Sequence, residues 1–258
     1  MDYVGSYLVP VLVVAVALGY TSARAKIVAW ITAAVLLLAI LMSSVTAIFA
    51  AVAALCLLLL LYSPRHALIG TVVVGILSIA VISTYAPMRS RVKTIRSMAA
   101  QHDYDAMLTS RLTAFAAAWE MARSHPVAGV GPGCFAPNYF KYKLGAERQH
   151  PALLLSYSRT FNFSEVHNDH LQILAENGIV GYVLFAAVLV LVSCQSFRGL
   201  APHRIGSDDR RKFVHLAALP LATAFAVLAM AQFPLRLPAS LLTFVFIAAV
   251  IAAWSGRR

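Results

Sequence analysis

One stretch of the sequence carries ionisable side chains at a spacing that suits acid–base or metal chemistry. It runs from Ser164 to Gly178 and contains His167 and His170, with Asn168 beside the first of them. Residues three apart are near neighbours on one face of a helix. The two histidines therefore fit a metal-binding pair, histidines at a membrane surface without chemistry, or a general base that titrates near neutral pH. Their spacing alone leaves the three roles open.

A metal role has little support in the sequence around these histidines. A catalytic zinc ion takes three protein ligands, whereas this stretch offers two histidines and scattered carboxylates. We therefore expect no metal ion and no other cofactor. Ser164 is predicted to cap a short helix, and Asn177-Gly178 to end it in a left-handed turn.

Arg111 is a candidate functional cation near the start of a second helical pattern, which covers residues 108–124. Its predicted apolar stripe consists of Leu108, Leu112, Phe115, Trp119 and Ala122. The 3.6-residue period of these positions predicts an amphipathic helix. Arg111 flanks the stripe, which suits either a buried functional cation or a surface arginine whose stem covers apolar side chains. The glycines and prolines of residues 124–133 predict a rigid structural turn. The Gly-x-Gly within it does not indicate a dinucleotide site, because such a site needs a preceding strand and none is predicted here.

The elements that hold these residues belong to a membrane protein. Of the 258 residues, 60% are apolar and 12% are charged, and the mean hydropathy is +0.78. Such a composition excludes an ordinary soluble enzyme, a disordered chain and a nucleic-acid-binding domain. Apolar segments long enough to span a bilayer cover residues 3–20, 27–42, 45–62, 67–85, 179–196, 213–231 and 237–254.

These segments predict an all-α, polytopic membrane helix bundle with about seven spans. The expected parts are N-terminal spans over residues 1–85, one large loop with short helices over 86–178, and C-terminal spans over 179–258. Short loops rich in arginine and lysine mark the cytoplasmic side. They contain Arg24, Lys26, Arg65, Arg198, Arg204, Arg210, Arg211, Lys212, Arg257 and Arg258. We therefore expect a cytoplasmic C-terminus and a periplasmic large loop at the inner membrane.

Three runs in and beside this loop resemble those of a known family. They are Arg111-Leu112 through Trp119, His125-Pro126-Val127-Ala128-Gly129-Val130-Gly131, and His167-Asn168-Asp169-His170-Leu171 with Glu176-Asn177-Gly178-Ile179-Val180-Gly181. Together they are similar to the O-antigen ligase family, which includes O-antigen polymerases. The resemblance covers roughly residues 40–195 and implies a membrane glycosyltransferase of the GT-C type. Relative to its usual members, the chain is expected to be short at the N-terminus.

The resemblance also implies an activity. Family members move a glycan from an undecaprenyl-diphosphate carrier to an acceptor such as lipid A–core, with neither a nucleotide nor an essential metal. The family's motif histidine corresponds to His167, and its loop arginine to Arg111. On this basis we expect His167 to be the general base and Arg111 to bind the diphosphate, in a direct displacement that inverts the anomeric centre. Asn168 and His170 are expected to have only supporting places.

One departure from the family pattern bears on this activity. Members carry an arginine in a Ser-Arg pair near the start of the span at 45–62, whereas this chain has Ser43-Ser44-Val45. Further candidates for a diphosphate-binding cation are Arg89, Arg91 and Arg159. The alternative is a non-catalytic family member that acts as a membrane scaffold or a lipid-glycan-binding subunit.

Overall fold

The computed structural model describes residues 4–43, 45–63, 65, 69, 72–73, 75–76, 79–80, 83–84, 86–101, 111–149, 162–198 and 209–256. Within these residues nine helices have defined bounds and no strand occurs. In chain order they are α1 Val4–Thr21, α2 Lys26–Leu41, α3 Val45–Tyr62, α4 Ala86–Ala100, α5 Leu112–Ser124, α6 Phe135–Gln149, α7 Asp169–Arg198, α8 Asp209–Ala231 and α9 Pro238–Gly256. The predicted all-α membrane bundle is confirmed as a fold class.

The apolar helices agree with the predicted spans wherever the chain is described. Four of them, α1, α7, α8 and α9, are long and apolar enough to cross a membrane, and α2 and α3 are apolar but shorter. Most of the predicted span at 67–85 lies outside the described residues, so the number of spans stays a prediction. Helix α2 ends at Leu41, and Met42 is its C-cap residue. The hydroxyl of the next residue, Ser43, donates to the Ile40 carbonyl at 2.8 Å.

The chain divides into two compact units, of which the first comprises residues Met1–Ser78 and Ala187–Arg258. In this membrane unit α1 packs against α2, α3, α8 and α9, and α3 packs against α8. Alanines fill much of its interior, including Ala47, Ala50, Ala54, Ala217, Ala218 and Ala224, all with no exposed surface. Small side chains let membrane helices approach closely, so van der Waals contact over long helices can hold them together.

The second unit, Ile79–Ala186, contains α4, α5, α6 and the first part of α7, and we call it the loop unit. Its core joins Ala114, Ala117, Ala118 and Met121 of α5 to Phe135, Tyr139 and Tyr142 of α6, with Val166 and Ala175. The predicted α5 stripe is only partly correct: Ala122 is buried and Phe115 packs against this core, whereas Trp119 is 52% exposed. Leu108, the first predicted member, lies outside the described residues. The alanine face, rather than the face with the bulkier side chains, packs against α6 because it allows the closer approach.

The start of α7 also differs from the prediction. The helix begins at Asp169, and Ser164, the predicted cap, is exposed outside it. Asn168 caps the helix instead, since its side-chain Oδ1 accepts the backbone N–H of Leu171 at 3.0 Å. The predicted turn at Gly178 is present as a break within α7, where this residue has φ 63° and ψ −164°.

Candidate active site

A helix break and a glycine-rich turn hold each other in place in the loop unit. On the N-terminal side of the break, the carbonyls of Ala175 and Glu176 accept the N–H groups of Val130 and Gly131, both at 2.9 Å. On the other side, the N–H of Ile179 donates to the Pro126 carbonyl at 2.8 Å, and that of Val180 donates to Val127 at 3.3 Å. Residues 126–131 therefore satisfy backbone groups that the break would leave without partners. The structural role predicted for this turn is confirmed.

Two glycines make this close approach possible. A Cβ atom on Gly129 would lie 2.3 Å from the backbone carbon of Glu176, and one on Gly178 would lie 2.3 Å from the Val127 carbonyl oxygen. Both residues also have positive φ, 69° and 63°, which side chains disfavour. Glycine is thus required at both positions for two separate reasons.

The Glu176 carboxylate joins the break to the start of α6. The side chain is 2% exposed, and its Oε2 accepts the N–H of Gly133 at 3.0 Å while Oε1 accepts that of Phe135 at 3.2 Å. A carboxylate at a helix N-terminus satisfies open N–H groups and interacts favourably with the helix dipole. The glycine-rich turn, α6 and α7 are therefore fixed to one another at this residue.

Gln172 extends the same network to the segment that precedes His167. Its Nε2 donates to Glu176 Oε1 at 3.2 Å and to Glu165 Oε2 at 2.5 Å. Its Oε1 accepts the backbone N–H of Val166 at 3.0 Å. Because Gln172 is 2% exposed, these bonds form away from water and hold residues 165–166 directly beside the histidine.

His167 has an unusual backbone and a protected ring. It is the only residue other than glycine with positive φ, 61°, in the part of the chain that the structure describes. Its ring is half-buried edge-on against Phe163, with centroids 6.2 Å apart, and Nδ1 is buried. A strained conformation of this kind persists only where the surroundings impose it, and such residues cluster at functional sites.

The environment of His167 keeps its imidazole neutral at physiological pH. Burial, followed by the nearby positive charge of Arg111, lowers the pKa of His167 from 6.5 to about 4. Arg111 is half-buried and immediately precedes α5. The fold thus brings together two residues that are 56 positions apart in the sequence, and it places a fixed cation beside a histidine able to accept a proton.

The other candidate residues lie elsewhere or outside the described chain. Arg89 is exposed on α4. Arg91 belongs to the same helix, of which the structure describes only the backbone at this position. Arg159 lies outside the described residues. His170 faces different neighbours from His167: its Nδ1 lies 3.3 Å from the Tyr182 hydroxyl, and its ring contacts that of Phe185.

No described group of three or more histidine, cysteine, aspartate or glutamate side chains has the arrangement of a metal site. The polar network also contains residues that the motif analysis did not single out as functional, namely Gln172 and Glu176. Their i, i+4 spacing puts both on one face of α7, which was a visible signal. Their burial was not visible, because it depends on the glycine-rich turn some 40 residues earlier.

Comparison with known proteins identifies a family that matches the region containing these residues. A family model described as O-antigen ligase matches residues 27–186, which is more than half of the chain. This range contains Arg111, His167 and the whole glycine-rich turn. None of the curated proteins matches the chain.

Proposed function

The chain belongs to the O-antigen ligase family, and we propose that it transfers a glycan from an undecaprenyl-diphosphate carrier to a hydroxyl of an acceptor glycan. Membership supports a membrane glycosyltransferase of the ligase or polymerase type. We propose lipid A–core or another glycan as the acceptor. The proposed location is the inner membrane, with residues 86–178 on the periplasmic side and the C-terminus in the cytoplasm.

In this proposal His167 is the general base. Its low pKa leaves the ring unprotonated at neutral pH, which is the form that accepts a proton. The acceptor hydroxyl oxygen forms a bond to the anomeric carbon as its proton passes to His167. At the same time the bond between that carbon and the diphosphate oxygen breaks, and the lipid diphosphate leaves with the electron pair. Attack opposite the leaving group inverts the anomeric centre.

Arg111 is proposed to bind the departing diphosphate. A guanidinium group remains charged at all physiological pH values and binds phosphate through two parallel hydrogen bonds. A fixed cation aimed at the developing charge can stabilise the transition state without a metal ion. We accordingly propose a metal-independent reaction, with Arg89, Arg91 and Arg159 as candidates for a second cation. Asn168 and His170 are assigned to the support of the segment around His167.

The observation that carries the proposal is the action of the Arg111 charge on the His167 ring. An inverting transferase needs a base for the acceptor and a cation for the leaving group, on opposite sides of the anomeric carbon. The two residues supply these functions from distant parts of the sequence.

A transfer assay with lipid-linked glycan in proteoliposomes tests the proposal, alongside a separate donor-binding assay. His167→Ala should lower the transfer rate by roughly two to four orders of magnitude, the usual contribution of a general base, while donor binding is retained. His170→Ala is the matched control and should have a much smaller effect. Transfer by the parent should survive EDTA.

Three outcomes would contradict parts of the proposal. A His167→Ala variant that transfers as fast as the parent excludes the histidine as the base. Activity that is lost with EDTA and restored by a divalent ion excludes metal independence. A parent protein that binds donor but transfers to none of several acceptors favours the non-catalytic alternative.

A further inference from the structure

Helix α4, Ala86–Ala100, differs in charge from the other described helices. It carries Arg89, Arg91, Lys93 and Arg96 and has no acidic residue. Described helical residues at 83–84 precede it, at the end of the predicted span over 67–85. The helix therefore begins where the sequence is expected to leave the membrane.

The positions of its residues give α4 two different faces. Met88, Val92, Ile95 and Ala99 follow the i, i+4, i+7, i+11 pattern of one apolar stripe. At 100° per residue, Arg89, Lys93 and Arg96 fall on one side of that stripe and Arg91 on the other. Ser90, Thr94 and Ser97 fall on the opposite face. This combination of an apolar stripe with flanking cations is typical of helices that lie in a membrane interface.

Three of the four residues in the apolar stripe of α4, namely Val92, Ile95 and Ala99, are exposed. Val92 is 42% exposed and Ile95 is 38% exposed, and α4 takes part in none of the main helix–helix contacts among the described elements. On the other face, the Thr94 hydroxyl donates to the Ser90 carbonyl at 3.0 Å, and that of Ser97 donates to the Thr94 carbonyl at 2.8 Å. The hydroxyl face is thus locally satisfied, whereas the apolar face has surface left to bury.

We propose that α4 lies along the membrane surface and binds anionic phospholipids. Val92 and Ile95 enter the boundary between headgroups and acyl chains, where their burial is favourable. Lys93 and Arg96 pair with phosphate groups of the bilayer, and α4 has no acidic side chain that would repel those phosphates. This assignment does not depend on glycan transfer, because it rests only on the charge, pattern and exposure of α4.

A pair of cysteine variants on opposite faces of the helix tests the assignment in the full-length protein. Val92→Cys and Thr94→Cys are made after Cys56, Cys134 and Cys194 are replaced by serine, and each is labelled with an environment-sensitive fluorophore. Both positions are exposed in the protein itself. In vesicles of phosphatidylcholine with phosphatidylglycerol, nitroxide-labelled lipid should quench the probe at 92 and aqueous iodide the probe at 94. Equal iodide quenching at both positions would overturn the proposal.

A second comparison separates lipid charge from other ways of covering the stripe. Lys93→Gln with Arg96→Gln should reduce the ratio of docked to undocked helix roughly 25-fold, about fivefold for each cation lost. Lys141→Gln with Arg148→Gln removes two charges from exposed positions of α6. This variant controls for total charge and should change the ratio little. Docking that is the same in phosphatidylcholine alone would overturn the role of anionic lipid. Docking seen only after polyprenyl diphosphate is added would assign the helix to the donor instead of the bilayer.

Discussion

The two units of the molecule bury different kinds of side chain. Among the described residues, every buried charged side chain lies in the loop unit: Lys143, Asp169 and Glu176. The polar groups that are buried in the described part of the membrane unit are uncharged, such as Ser6, which donates to Gln232. Its remaining interior is alanine and larger apolar side chains. Within the described residues, the charges removed from water are therefore concentrated in the loop unit.

This difference separates what holds each unit together. Burial of a charge is unfavourable unless hydrogen bonds or an opposite charge offset it, and Glu176 meets that condition with three N–H donors. The described part of the membrane unit depends on close contact between small residues. Single substitutions should therefore disturb the loop unit more strongly than the membrane unit.

The largest effect on stability is expected at the glycines of the helix break. Gly178→Ala and Gly129→Ala each add a Cβ about 2.3 Å from backbone atoms and force alanine into positive φ. In each variant, the steric penalty and the backbone penalty together amount to about 2–6 kcal/mol. Gly145→Ala is the control, because no atom lies within 4 Å of its added Cβ, and it should stabilise α6 by up to about 1 kcal/mol. Thermal unfolding in detergent measures all three; equal effects would contradict the proposed tight contact.

A smaller loss is expected at the amide that joins the network to the segment before His167. Gln172→Leu leaves the Val166 N–H and two carboxylates short of a partner, at a cost of about 1–3 kcal/mol. Gln149→Leu, at the exposed end of α6, removes an amide without this network and should be nearly neutral. Proteolysis of the loop unit, followed over time, compares the two variants. Similar cleavage rates would show that the network contributes little.

The smallest effect is expected in the membrane unit. Gln232→Leu removes the hydrogen bond to Ser6 between the end of α8 and α1, and such bonds between membrane helices average about 0.6 kcal/mol. Unfolding in a denaturing detergent should show this small change. A loss as large as that of Gln172→Leu would remove the distinction between the two units.

The membrane unit could be predicted from the sequence more fully than the loop unit. The apolar spans could be predicted because length and hydropathy decide them locally, and α1, α8 and α9 agree with the segments within a few residues. The cap at Asn168 could not, because Ser164 is an equally good capping residue and tertiary contacts around residues 165–166 decide where the helix begins. The buried face of α5 depends on how closely α6 approaches, which periodicity does not show.

The sequence names His167 and Arg111 as candidate site residues, but it does not show that the fold brings them together. His167 and Arg111 came from their residue types and from the family resemblance, and their proximity depends on a chain path of 56 residues. The three-residue spacing of His167 and His170 suggested a shared role. The two rings instead have separate neighbours, because His167 lies before the start of α7 and its backbone is not helical.

The lowered pKa of His167 also gives the candidate site a pH dependence. The unfolded chain takes up a proton near pH 6.5, while the folded protein does so only near pH 4. As the pH falls between these values, the unfolded chain binds this proton and the folded protein does not, so the free energy of unfolding decreases. Above pH 6.5 this ring imposes no such penalty.

The pKa of His167 in Arg111 variants tests most directly whether the two residues form one site. It is measured from the ring ¹⁵N signals of histidine-labelled protein, with His167→Ala to assign the resonance. The parent should titrate near pH 4. Arg111→Gln should titrate at a higher pH but still below 6.5, because burial is the larger cause of the shift and remains. Arg111→Lys, which keeps the charge, should stay close to the parent. A His167 pKa that is the same in Arg111→Gln as in the parent would contradict the account.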